Sequence, residues 1–218
     1  GVKVSVSRRS QDLFVRPRPM YATCDAGFEP MVARELEACG AEKIFPGHRG
    51  VGFFGNRQCM WRANLESRLA NRILVPVAEF PGASREDIYS GVYSVNWPRW
   101  FTSSQTIAVD ATTHKSQQSH PGFLALLVKD AVCDRFREEV NRRPSVDKRD
   151  PDVRINLRIE NDRCILNLDS SGERLHRRGY RIEAGVAPLK ETLAAAIVRL
   201  IGWRPDTTLV DPMCGSGT

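Results

Sequence analysis

Thr207-Thr-Leu-Val-Asp-Pro-Met-Cys-Gly-Ser-Gly-Thr218 is the stretch whose reading decides the fold class. Its first four residues are β-branched or apolar and read as a buried strand. Asp211 stands where that strand ends, and Gly215-Ser-Gly217 follows. In an open parallel sheet the ligand sits outside the carboxyl end of a strand. Glycines there let the backbone approach a ligand and take φ > 0. The stretch predicts the opening strand and the phosphate- or nucleotide-binding loop of a doubly wound sheet. What precedes it then reads as a front end, delivered up to a catalytic domain that lies beyond Thr218.

The bulk properties narrow the class. At 218 residues the chain has room for one large or two small domains with their own cores. No apolar run approaches the ~20 residues of a membrane span. The net charge of +6 and pI near 9.2 favour a polyanionic partner, nucleic acid first. The six cysteines contain no C-x-x-C pair, and the four histidines lack ligand spacing, which argues against zinc. Scattered thiols in a chain of this size read as reduced and mostly buried, as in the cytoplasm.

Residues 1–19 are rich in Arg and Ser, and Pro17 and Pro19 break regular structure. They read as a disordered basic tail, or as the remnant of a transit peptide to an organelle matrix or stroma. Met20–Cys24 is a first strand. Phe28–Cys39 carries Phe28, Met31, Val32, Leu36 and Cys39 on one helical face, with Arg34, Glu35 and Glu37 opposite. Lys43–Phe45 and Gly50–Phe54 follow as strands, with Pro46-Gly47 as the turn. Asn56 caps a helix over Arg57–Leu69 whose apolar positions are Met60, Trp61, Leu65 and Leu69. Ile73–Val77 is strand-like, Pro76 placing it at an edge or an end. Ser84 and Asp87 form a capping box for a short helix.

Trp97, Trp100 and Phe101 share one loop, where they either stack on bases or anchor the loop to the core. Thr106–Thr112 alternates as a strand. Phe123–Val140 is the strongest helix, with Phe123, Leu127, Val128, Ala131, Val132, Phe136 and Val140 inward. Val153–Ile159 and Arg163–Asp169 form a hairpin across Glu160-Asn161-Asp162. The mixed charges of 135–154 read as a solvated face. Beyond residue 170 the chain turns basic: Arg174, His176, Arg177, Arg178 and Arg181 form either a solvated linker or a phosphate-contacting connector. Pro188 opens a last helix with Leu189, Leu193, Ala196, Ile197, Leu200 and Ile201 inward.

Leu168-Asp-Ser-Ser-Gly172, Leu175-His-Arg-Arg-Gly-Tyr-Arg181, Ala187-Pro-Leu-Lys-Glu-Thr-Leu-Ala-Ala-Ala-Ile197 and Asp211–Thr218 together carry a resemblance. They are similar to the THUMP-domain RNA methyltransferases of bacteria, most of all those that modify guanine N2 in large-subunit (23S) ribosomal RNA. Tyr21–Gly27, Asn96-Trp97, Val146-Asp147 and Val153–Asn156 extend the likeness over 21–218. The resemblance implies an α/β chain with an α+β front end. A ferredoxin-like part spans 20–58 and a THUMP RNA-binding domain 59–170. A basic connector with its helix covers 171–205, and a Rossmann-like methyltransferase domain opens at 206–218.

The resemblance further implies S-adenosylmethionine as cofactor, bound by Asp211, Pro212, Cys214, Gly215 and Gly217, with Lys190 and Thr192 beside its methionine portion. Ribosomal RNA is the implied partner, with Arg174, His176, Arg177, Arg178 and Arg181 on the RNA. Such enzymes free the target amine with an Asn-Pro-Pro-aromatic loop, and no Asn-Pro-Pro occurs in these residues. No catalytic residue is therefore expected in 1–218, and little or no binding of the cofactor or methyl transfer by them alone. The rival readings are an adenine-N6 methyltransferase, whose loop is similar, and a non-catalytic RNA-binding module.

Overall fold

A computed structural model describes residues 14, 16–172, 174–175 and 189–215. They divide into two units. One comprises 20–73 with the described residues of 174–215; the other comprises the described residues before 20 with 74–172.

In the first unit the strand order is β2-β3-β1. β1 is Arg18–Thr23, its first two residues counted with the other unit, so regular structure begins inside the stretch expected to be a tail. α1 is Glu29–Ala38 and ends in a Schellman motif. The Ala41 amide donates to Leu36 O and the Gly40 amide to Glu37 O, both at 2.9 Å, with Gly40 at φ +88°. Val32, Leu36 and Cys39 are buried as the periodicity requires, but so is Glu35, expected on the solvent face.

β2 (Glu42–Gly47) and β3 (Gly50–Gly55) pair antiparallel, Gly47 opposite Gly50. The turn is therefore His48-Arg49 rather than Pro46-Gly47. Glu29 supplies the reason: its Oε1 accepts the Arg49 amide and its Oε2 the Gly27 amide, both at 2.8 Å. Hydrogen bonds from its own amide, Arg49 and Gly27 hold the Glu29 carboxyl below its ordinary range.

α2 (Arg57–Glu66) is capped by Asn56, whose Oδ1 accepts the Cys59 amide at 3.0 Å. It buries Cys59, Met60 and Ala63 and leaves Trp61 and Leu65 in solvent, against expectation. It also stops three residues early. The amides of Arg68 and Leu69 turn away to the carboxylate of Glu35, each at 3.2 Å, and Ser67 Oγ donates to it at 2.6 Å.

α5 (Glu191–Leu200) closes this unit. Pro188, its expected first residue, lies outside the described residues. Ala196 is buried as expected, with Thr192. Leu189, Leu193, Ile197, Leu200 and Ile201, expected inward, are exposed. Arg199 Nη2 lies 2.9 Å from Glu35 Oε1. Thr192, Ala196 and Arg199 follow at i, i+4 and i+7, so they share one face.

In the second unit the order is β4-β7-β6-β5. β4 (Arg72–Pro81) begins in the first unit and continues here, longer than Ile73–Val77. Pro76 falls inside it, where the register with β7 shifts between Pro76 and Ala78. A bulge is where a strand tolerates proline. α3 (Arg85–Tyr93) carries both bonds of the expected Ser84–Asp87 capping box. Its Gly91 admits the Phe80 ring so closely that a Cβ would stand 2.3 Å from it.

β5 (Ile107–His114) and β6 (Val153–Glu160) run parallel, joined by the crossover helix α4 (Pro121–Val140). β6 and β7 (Arg163–Asp169) form the expected hairpin. Its turn residues Asn161 and Asp162 both have positive φ, at +50° and +58°, as tight hairpins of this kind require. α4 buries Leu124, Val128, Ala131, Val132 and Phe136, while Phe123 and Val140 are exposed at its ends. The core gathers these with Ile88, Val92, Trp97, Phe101, Ile107, Ile155, Leu157, Ile159 and Leu166.

Candidate cofactor loop and nucleic-acid surface

The loop that decided the sequence reading is exposed from Asp211 to Gly215; Gly217 lies outside the described residues. Asp211 Oδ1 accepts the Met213 amide at 2.9 Å, which folds the carboxylate back over the turn. Gly215 has φ +55°, and a Cβ there would meet nothing within 4 Å. Its conformation needs glycine although its surroundings do not. Pro212 and Cys214 are exposed. Residues 207–210 form no strand, and Val210 is 77% exposed. A buried parallel strand needs neighbours to take its amides and carbonyls, and none among the described residues pairs with this segment. Local bonds organise the approach instead: Trp203 Nε1 donates to Thr207 O at 3.0 Å, and Thr207 Oγ1 to Arg204 O at 2.7 Å.

Lys190 and Thr192 stand at the start of α5, apart in character. Lys190 is exposed, with Nζ 3.8 Å from Asp25 Oδ2. Thr192 is 1% exposed, and its hydroxyl has no hydrogen-bond partner among the described residues. Of the basic connector, Arg174 is described and exposed; His176, Arg177, Arg178 and Arg181 fall outside the described residues.

The aromatic loop anchors rather than presents. Trp97 is fully buried, donates Nε1–H to Val92 O at 2.9 Å and lies 5.9 Å from Phe101. Trp100 is half-buried with the Arg18 guanidinium 5.1 Å over its ring.

The stretch 135–154, expected to be a balanced solvated face, separates into two parts. Along α4 the charges are matched, Arg135 to Glu138 and Glu139, and Arg137 to Asp134. After the helix, Arg142, Arg143, Lys148 and Arg149 are exposed and hold no ion pair among the described residues. Asp147 is committed elsewhere: its Oδ1 accepts the amides of Arg149 (2.8 Å) and Asp150 (3.1 Å). Those bonds, Asp150 first, hold its carboxyl below the usual range. Counting charges along the sequence misses this cluster, because it does not show that the acids of α4 pair with that helix's own arginines.

Among the described residues no group of three His, Cys, Asp or Glu side chains could hold a metal ion, and no helix is long and apolar enough to cross a membrane. Five cysteines are buried and Cys214 is exposed. Burial pushes the Cys24 and Cys164 thiols up to about 12 and Cys59 to about 11, and raises Cys39 and Cys133. The thiolate is the reactive form. Iodoacetamide at pH 8 is therefore expected to label one thiol in the native chain, Cys214, and six after denaturation. A second native adduct by mass spectrometry would contradict the burial. The raised values also lower stability in alkali. The unfolded thiols ionise first, so stability falls as pH rises from the ordinary thiol value toward 11 and 12.

Three family models match in succession along the chain. Residues 19–74 match the RlmL ferredoxin-like domain, 82–169 the THUMP domain, and 178–218 the RMKL-like methyltransferase domain. The chain thus carries matches to a ferredoxin-like, a THUMP and a methyltransferase domain, in that order. A relative named ribosomal RNA large subunit methyltransferase K/L, from Syntrophotalea carbinolica, is 48% identical over 207 residues, 93% of this chain and 29% of that protein. Two solved structures of putative or predicted methyltransferases share the fold. One, described as a predicted N6-adenine-specific DNA methylase from Listeria monocytogenes, aligns with a TM-score of 0.82 and 29% identity over 95% of this chain and 54% of that one. The other, SMU.472, a putative methyltransferase complexed with SAH, gives 0.80 and 31% over 93% and 53%. The chain thus spans less than a third of that curated relative and about half of each solved one.

Proposed function

We propose that the chain is the RNA-engaging part of an S-adenosylmethionine-dependent methyltransferase acting on guanine N2 of 23S ribosomal RNA. The observation that carries this is the order of the three matched models, ferredoxin-like, THUMP and methyltransferase, in a chain 48% identical to a large-subunit rRNA methyltransferase. The THUMP domain delivers RNA to the catalytic domain, where the target base leaves its stack. Arg142, Arg143, Lys148 and Arg149 contact phosphate, together with the connector residues Arg174, His176, Arg177, Arg178 and Arg181.

S-adenosylmethionine supplies a sulfonium-bound methyl group for transfer to an amine. Asp211, Pro212, Cys214, Gly215 and Gly217 would hold it, an assignment supported by the exposed loop and the left-handed Gly215. Lys190 would lie beside the methionine portion. Thr192, with its hydroxyl withdrawn from solvent, would act by seating α5.

The test has two parts. Fluorescence anisotropy with structured 23S rRNA fragments should show weak binding by this chain that falls with salt as counterions are released; no binding at low salt would sink the RNA reading. Mass spectrometry of rRNA from a strain lacking the whole gene should then show loss of N2-methylguanosine. Loss of N6-methyladenosine instead would favour the adenine reading, which the name given to the Listeria structure supports. Residues 1–218 alone should transfer no methyl group from radiolabelled cofactor.

A further inference from the structure

α5 has two unlike faces. On one side Thr192 and Ala196 are buried, and Arg199, half-exposed, reaches Glu35 from the same side. The apolar face, with Leu193, Ile197 and Leu200, is exposed. Among the described residues, what holds the helix is therefore not its hydrophobic side, the usual way a surface helix is held. It is seated by an ion pair over two small buried residues. The receptor for that pair is prepared in advance. The Glu35 carboxylate is buried and already accepts Ser67 Oγ and the amides of Arg68 and Leu69. These donors fix its direction before Arg199 arrives at 2.9 Å. Glu35 is on α1 and Arg199 is in the segment matched to the methyltransferase model. Only residues 201–210 separate α5 from Asp211.

We propose that Glu35 and Arg199 are a positioning pair, a clasp by which the ferredoxin-like subdomain sets the orientation of α5 and so of the loop that follows. The coupling to the loop rests on the reading of Asp211–Gly217 as a cofactor loop; the clasp itself does not. Arg199 is the residue to vary, because its side chain is 43% exposed and its loss leaves Glu35 with three donors.

Hydrogen exchange on this chain tests the clasp. Arg199→Ala should speed exchange of the α5 amides by about tenfold while β5, β6 and β7 keep their protection, since local opening follows local contacts. Arg199→Lys should recover part of that protection, because it keeps the charge without the guanidinium fork. Unchanged α5 exchange in Arg199→Ala, or no recovery in Arg199→Lys, would overturn the clasp. The whole gene product tests the coupling: Arg199→Ala should raise KM for S-adenosylmethionine several-fold, with KM for RNA unchanged. An unmoved cofactor KM beside faster α5 exchange would remove the coupling and leave the clasp. A wild-type product without methyl transfer would refute the functional reading, and the exchange result would stand apart from it.

Discussion

Replacing Trp97 by Ala is expected to cost the second unit about 3–5 kcal/mol, the scale of a buried Trp truncation. The indole is fully buried in a core that already packs Phe101 against Phe136 at 5.0 Å. Its removal leaves a cavity between α3, α4 and the loop after α3, and interiors at native density close such voids only in part. It also takes away the Nε1–H donor to Val92 O. A small domain is stable by only about 5–15 kcal/mol, so the loss takes a large share of the margin. Urea unfolding followed by circular dichroism measures it. Trp97→Phe retains most of the ring volume and should cost clearly less. An unchanged midpoint in Trp97→Ala would show that the ring does not belong to the core.

Glu35→Leu is expected to destabilise the other unit by about 2–4 kcal/mol, because buried donors left without an acceptor carry their full desolvation cost. Leucine offers similar bulk and no lone pairs. It strands the amides of Arg68 and Leu69 and the Ser67 hydroxyl, which itself accepts the Ala70 amide at 3.1 Å. Half-exposed Arg199 regains water and contributes less. Glu35→Gln keeps an acceptor oxygen and should lose less than half as much. Denaturant melts of both variants check this; equal losses would point to packing rather than hydrogen bonding.

Elements whose burial follows their own periodicity were legible in the sequence. α1, α4 and the β6–β7 hairpin stand where the apolar spacing and turn residues put them, and the capping box at Ser84 holds both its bonds. The misses share a feature. The turn at His48-Arg49, the early end of α2 and the rotation of α5 each involve a distant carboxylate, Glu29 or Glu35. A one-dimensional pattern cannot show such an acceptor. It ranks Glu35 as polar and sends it outward, although Glu35 lies three residues from Val32 and beside Leu36, within the buried stripe. Residues 207–210 fail as a strand for the complementary reason: side-chain character favours a strand, but only a neighbour can complete one. The candidate loop was legible by composition, down to the left-handed glycine at 215. The basic patch at 142–149 was not.

The Leu175 amide donates to Asn71 O at 2.9 Å. The chain leaves the first unit after Ile73 and is back in it by Arg174. Points of departure and return are thus one hydrogen bond apart, the condition under which a host tolerates an inserted domain. The THUMP domain is in this sense a cassette, spliced into a framework made of the sequence before and after it. That cassette can be enlarged, exchanged or retuned without redrawing a contact inside the framework that holds α5.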